Sequence, residues 1–300
     1  MAPTAETLLR QAEHAAASLG AMTAAGGRQL SHVRGTHGRR RAGEGDSFWQ
    51  FRAYSASDAA SAVDWRRSAR SDTLYVRERE WEAAQNLYFW CDASPSMAFA
   101  SRPDRPTKAA RARLIALALA CVFARGGERV GLLGDAAKPR AGRFGLVRLA
   151  EMLATQEGAP ARPAPPILPA GSHVVVLSDF LDPLEDTAPF VRALAGRGIA
   201  GHLLRVLDPA EEDFPYHGRL VFEGLEGEAP ETLERAQALG GVYRARLAAL
   251  GEALITLTRT LGWSFTTHRT DHGVAPALLA AASQIAGRPF APSPAPAPSC

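Results

Sequence analysis

Apolar runs and helical stripes alternate along most of this chain, and their spacing predicts its elements. Near the start, Leu8, Leu9, Ala12, Ala16 and Leu19 recur at helical intervals over residues 5–19, with Gly20 as the stop. Residues 26–47, rich in glycine, arginine and histidine, read as an irregular loop. Aromatic alternation predicts strands over 46–54 and 73–80, with a helical turn at 65–69 between them. Trp49, Phe51, Tyr54 and Trp65 would form the core of this small β-rich appendage. The run Leu87-Tyr88-Phe89-Trp90-Cys91 is a buried strand that stops at Asp92. Helices are expected over 107–127, 145–156, 182–198, 230–261 (with a break at Gly240-Gly241) and 274–287. Strands are expected over 129–135, 173–179, 199–208 and 263–271, with a loop and short strand in 209–224.

Strand, helix, strand, helix in repetition argues for an α/β fold with a doubly wound, mainly parallel sheet of Rossmann-like type. Ligands of such sheets sit beyond the C-terminal strand ends, where the strand order reverses. Three expected strands finish on carboxylates, Asp92, Asp179 and Asp208, although the strands themselves are apolar. An acidic site along that edge follows.

Composition narrows the setting. The 300 residues, 46% of them apolar, can fill a sizeable core. No apolar run is long enough to span a bilayer, and no basic start with an apolar stretch marks a signal peptide, so a cytoplasmic protein is the expectation. Cys91, Cys121 and Cys300 are too scattered for a disulfide framework or a zinc site. The net charge is only +3, yet arginines crowd the first half: Arg34, Arg39, Arg40 and Arg41, then Arg66, Arg67, Arg70, Arg77 and Arg79. Such clustering can bind phosphates or an acidic protein face. A solvated surface paired with Glu78, Glu80 and Glu82 is the plainer reading, and nucleic acid is not the expected partner. His32 and His37 have no nearby ligand partners and read as surface histidines; His173, His202 and His268 read as core or edge histidines. Lys108 and Arg111 read as surface charge at the start of a helix. The proline- and alanine-rich tail, 288–300, reads as disordered.

The chemistry gathers in NLYFWCDASPSM, residues 86–97. The spacing D-x-S-x-S puts the Asp92 carboxylate and the Ser94 and Ser96 hydroxyls within one short turn. Hard cations take oxygen ligands and keep several waters. Two hydroxyls bound directly, with the carboxylate holding a water, would leave positions open for a partner's oxygen. The alternative is a turn in which Asp92 caps and the serines hydrogen-bond local backbone.

NLYFWCDASPSM, the helix after it, RVGLLGD and HVVVLSDF together resemble a von Willebrand factor A-like domain. The preceding DSFWQFRAY, SAVDWRRSAR and LYVREREWE resemble the hallmark segments of the domain-of-unknown-function family fifty-eight. The resemblance covers roughly residues 35–285. It divides the chain into an N-terminal helix (1–25), an arginine-rich β appendage (26–82), an A-like domain (83–287) and the tail. It implies a metal-ion-dependent adhesion site holding magnesium, or manganese in its place, with Asp92, Ser94 and Ser96 in the first metal loop and Asp179 as the later aspartate acting through water. The middle loop of such a site supplies a threonine. This sequence has no clear counterpart: Thr155 lies near the right place without the usual glycine before it. The family also implies a partnership with a MoxR-type AAA+ ATPase, in an adaptor or chaperone-like role toward a client protein.

Rival functions are weaker. An aspartate ending the first strand is also the nucleophile position of haloacid-dehalogenase-like phosphatases, but those need a carboxylic acid two residues later, where this chain has Ser94. No phosphate-cradling glycine loop or Ser-His-Asp set is evident, so a non-enzymatic protein is expected. A scaffold with a degenerate metal site and anion or nucleic-acid binding through the arginine-rich segment are the alternatives.

Overall fold

The structure is a computed structural model describing residues 4–25, 41–43, 47–55, 61, 63–70, 73–81, 84–156, 162–225 and 229–286. It forms two compact units, one of Met1–Arg34 with Gln85–Cys300 and one of Gly35–Ala84. His32, His37 and the tail lie outside the described residues.

The first helix, α1 (Ala5–Ala25), buries Leu8, Leu9, Ala12, Ala16 and Leu19 on one stripe. It passes through Gly20 instead of stopping there. A mid-helix glycine costs only about 1 kcal/mol relative to alanine, and the following residues, Ala21-Met22-Thr23-Ala24-Ala25, include good helix formers.

The small unit holds β1 (Arg41–Gly43), β2 (Ser47–Ala53), α2 (Trp65–Ser68) and β3 (Tyr75–Trp81), an antiparallel sheet ordered β1-β3-β2. Composition predicts a loop at β1; pairing of Arg41–Gly43 with Arg79–Trp81 makes it a strand. Asp64 caps α2 by accepting the Arg67 N–H at 3.0 Å. Val63 and Val76 are buried, whereas Trp65, expected in the core, is 63% exposed. Its four-residue helix turns Ser68 inward instead, where the hydroxyl accepts the Tyr75 N–H at 2.9 Å. Phe51 lies under the Arg67 guanidinium, 4.3 Å from its ring centre.

The large unit is built on β4 (Asn86–Cys91), β5 (Arg129–Leu132), β6 (Arg140–Ala141), β7 (His173–Ser178), β8 (Ala200–Leu207) and β11 (Ser264–Arg269). The strand order is β11-β8-β7-β4-β5-β6, parallel throughout except for β6 at the edge. The connecting helices are α3 (Lys108–Arg125), α4 (Gly142–Thr155), α5 (Leu184–Ala195), α6 (Pro209–Asp213), α7 (Gly240–Thr260) and α8 (Ala275–Ala286). Alternate strand residues feed two cores. Leu87, Phe89, Cys91, Val175 and Leu177 pack with α1, α3, α4 and α8; Tyr88, Trp90, Val174 and Val176 pack with α5 and α7. A sheet covered on both faces has near-continuous apolar strands, which is why these runs show no polar alternation. The result is the doubly wound, Rossmann-like α/β fold the periodicity predicts.

Two stretches differ from expectation. The helix predicted over 230–261 begins at Gly240; Glu231–Leu233 is instead β10, paired antiparallel with β9 (Leu220–Phe222). Pro230 is compatible with a helix start, and what displaces the helix is the non-local pairing with β9. The stretch after Asp208, read as loop, opens with α6, closed by a capping box between Asp208 and Glu211.

Close packing makes two predictions. Gly201 faces Trp263, and an added Cβ would lie 2.4 Å from its ring. Gly201→Ala is expected to cost about 1–3 kcal/mol, the usual range for overpacking. Gly241→Ala, where a Cβ meets nothing, should cost nothing; urea unfolding of the two variants checks this. His268 is buried, and burial, with Arg111 and His272 nearby, lowers its pKa to about 4. The unfolded chain therefore takes up this proton first as pH falls below about 6.5, and stability present at neutral pH is lost toward pH 4. The component amounts to about 2 kcal/mol by pH 5. His268→Gln should flatten that part of the stability-pH curve.

Candidate functional site at the strand ends

Strand order reverses at β4: β5 lies on one side and β7 on the other. The C-terminal edge at that reversal is where such sheets open a crevice. Asp92 stands there, immediately beyond β4 and only 1% exposed. Its N–H continues the ladder to the Leu177 carbonyl at 2.8 Å. One carboxylate oxygen, Oδ1, accepts the Ser94 N–H at 2.8 Å; the other, Oδ2, accepts the Ser178 hydroxyl at 2.6 Å. The first bond turns the chain, and the second ties the turn to β7. Burial pushes the Asp92 pKa up despite the hydrogen bonds from Ser178 and Ser94. A short 3-10 turn, Pro95–Ala98, follows, pinned by the buried Met97.

The remaining expected residues converge. The Ser94 and Ser96 hydroxyls are 3.2 Å apart, and Ser96 donates to Asp179 Oδ2 at 2.9 Å. Asp179 follows β7, and the next residue, Phe180, is buried in the left-handed region at φ 47°. That strained turn swings the chain away so that the Asp179 carboxylate faces the β4 loop. Asp92, Ser94, Ser96 and Asp179 thus form one hydrogen-bonded cluster.

Lys108, read from the sequence as surface charge, is instead 1% exposed. Its Nζ lies 2.7 Å from Asp179 Oδ2, the same oxygen that accepts Ser96, and 2.5 Å from Glu211 Oε1. Phe99 presents its ring to the ammonium, with the centroid 5.8 Å away. Burial alone would lower the Lys108 pKa, but Asp179 and Glu211 outweigh it and hold the pKa above its ordinary value. Burial raises the Glu211 pKa, against the pull of Lys108. Glu211 also accepts the Asp208 N–H at 2.9 Å. Arg111, a half-buried residue also read as surface charge, donates to the Thr270 carbonyl beyond β11 at 2.7 Å.

The third strand-end carboxylate plays a different part. Asp208 is fully buried and accepts from Ala210 N–H at 2.9 Å and Ser101 N–H at 3.1 Å. Burial pushes its pKa up, but hydrogen bonds from Ser101 and Ala210 and the nearby Arg105 bring it below the ordinary value. It is a helix cap on the same edge. Thr155 turns its hydroxyl back onto its own helix, donating to Glu151 and Met152 carbonyls, and does not join the cluster. Its neighbour Gln156 reaches β4 instead, its amide donating to the Cys91 carbonyl at 2.8 Å, and its Oε1 is buried without a hydrogen-bond partner among the described residues.

The fit to a divalent ion can be judged from these contacts. Such an ion would need the two serine hydroxyls, already paired with each other, and Asp179, already bonded to Lys108. An ion of charge two about 4 Å from that ammonium meets a repulsion on the order of 8 kcal/mol at an effective dielectric of about 20. That offsets about half of what two carboxylates at the same range contribute. Among the described residues no three His, Cys, Asp or Glu side chains group to hold a metal ion. With Lys108 in place, the residues do not fit a divalent ion.

Fold and site define an α/β protein with a closed polar cluster at its strand-order reversal. The family described as "Protein of unknown function DUF58" matches residues 50–251, and this chain belongs to it. No curated protein matches the chain. Among solved structures it is similar to the conserved hypothetical protein BatB from Bacteroides thetaiotaomicron, at 16% identity and a TM-score of 0.39, over 68% of this chain and 98% of that one. It is also similar to an uncharacterized membrane spanning protein from Vibrio fischeri, at 16% identity and a TM-score of 0.15, over 65% of this chain and 94% of that one. Among the described residues no helix is long and apolar enough to cross a membrane.

Removing the buried ammonium leaves the buried Asp179 and half-buried Glu211 carboxylates without their shared cation. Lys108→Met is expected to destabilise the large unit by about 3–5 kcal/mol, as breaking a buried ion pair usually does. The exposed Arg102, paired with Asp104, should cost under about 1 kcal/mol when changed to alanine. Urea midpoints of the two variants decide the comparison.

Proposed function

We propose that this chain is a non-enzymatic protein-interaction module with a von Willebrand factor A-like large unit. It works as an adaptor for a MoxR-type AAA+ ATPase in the assembly or activation of a client protein. One observation carries the reading: Asp92, Ser94, Ser96 and Asp179 meet at the C-terminal sheet edge where the strand order reverses. This edge presents an exposed lip, Pro95 and Ala98, over a rigid polar floor. The sheet order, with one antiparallel edge strand, supports the likeness to the A-like fold.

Chemistry speaks for docking over catalysis. Asp92 uses both carboxylate oxygens on neighbouring donors, and Asp179 is held by Ser96 and Lys108. Two residues after Asp92 stands Ser94, which cannot protonate a leaving alkoxide as a carboxylic acid does.

A second reading has its own observation in the small unit. Phe51, Asp64, Arg66, Arg67, Arg70 and Tyr75 line an open cavity of about 530 Å³, suited to an anionic group. Its signature would be binding that weakens steeply with salt.

The docking reading is tested by capture of a purified MoxR-type ATPase on immobilised protein. Ala98→Arg, which places a long cation on the exposed lip, should lower capture at least about tenfold. Arg70→Ala in the small unit should leave it unchanged. Capture insensitive to Ala98→Arg sinks the reading.

A further inference from the structure

We infer that the Lys108 ammonium is the resident cation of the strand-end site, seated beside the place where a divalent ion would be held, so that the site functions without a metal. The first ground is position. Lys108 Nζ is 2.7 Å from the Asp179 oxygen that also accepts the Ser96 hydroxyl, so the ammonium closes the polar chain that starts at Asp92. The second ground is that the ammonium is enclosed and already paired. Asp179 and Glu211 take two of its donors, the Phe99 ring lies over it, and only 1% of the residue is exposed. The third is cost. Lys108 is the first residue of α3, where the helix dipole disfavours a cation, so its place there depends on the carboxylates it meets. The fourth is that Thr155, which lies nearest the place of the expected middle-loop ligand, turns its hydroxyl onto its own helix and supplies none to the cluster.

The consequence concerns how a partner is recognised, and to that extent it rests on the docking reading. A metal with an open position would capture a partner's carboxylate. A buried ammonium already paired with two carboxylates does not. A partner at this edge therefore meets neutral hydroxyl and backbone groups of residues 94–99, and its capture should be the same in magnesium and in chelator.

The test needs no partner, so its failure is separate from failure of the docking reading. Wild type, Lys108→Gln and Lys108→Met are titrated with manganese chloride, with free Mn²⁺ followed by its paramagnetic resonance signal and folding by circular dichroism. The wild type should take up no Mn²⁺ at submillimolar concentration. A folded neutral variant should bind one Mn²⁺ at least about tenfold more tightly, and adding Ser96→Ala should abolish the gain. Saturable uptake of one Mn²⁺ by the wild type overturns the inference, whether or not the variants fold. So does a folded neutral variant that binds no better than wild type, because the ammonium is then not what keeps the ion out.

Discussion

The contact of Lys108 with Asp179 and Glu211 joins three segments that the sheet alone would leave independent: the start of α3, the end of β7 and the short helix α6. Taking three charges out of water is costly, and a buried ion cluster is weak evidence of net stability. Its value lies in geometry. A carboxylate without its ammonium at this depth is far worse than the pair, so alternative placements of these loops are penalised. Glu211 links the cluster to the Asp208 cap, and Asp208 in turn holds the Ser101 N–H in the loop before α3. The loops of this edge are tied together by a single run of polar contacts.

Topology explains why that run can exist. Parallel strands deliver their C-terminal ends to one edge, and the reversal at β4 places the ends of β4 and β7 side by side, with Cys91 paired to Leu177. Asp92 and Asp179 are then neighbours although 87 positions apart. The apolar strands supply the rigid base, and the first polar residue beyond each is where the chain can turn and hydrogen-bond. Strand ends become polar because the core stops there.

How much of this was legible in the sequence follows from the range of each interaction. The large-unit strands and helices show in local periodicity, and the four residues Asp92, Ser94, Ser96 and Asp179 show because they sit directly after apolar runs. The Lys108–Glu211 contact spans 103 positions, and Glu211 lies in PAEED, which reads as loop. Composition could not join them. A signal existed nonetheless: a lysine in the first turn of a helix opposes the dipole and asks for a partner. β10 does not show in the sequence for the related reason that two three-residue strands owe their form to each other. Trp65 departs from expectation because aromatic residues are expected inside, whereas the inward position of its short helix belongs to Ser68.

The closure of the cluster bears on the docking reading. Within the cluster each carboxylate oxygen facing another segment already accepts from a neighbour, so the loop geometry is set by its own contacts. Protein recognition favours a surface whose shape is settled before the partner arrives, so that little ordering entropy remains to be lost on binding. Pro95 contributes in the same direction, since its fixed φ stiffens the lip between the two serines. On the docking reading, the buried cluster beneath holds the loop and the exposed lip above offers it.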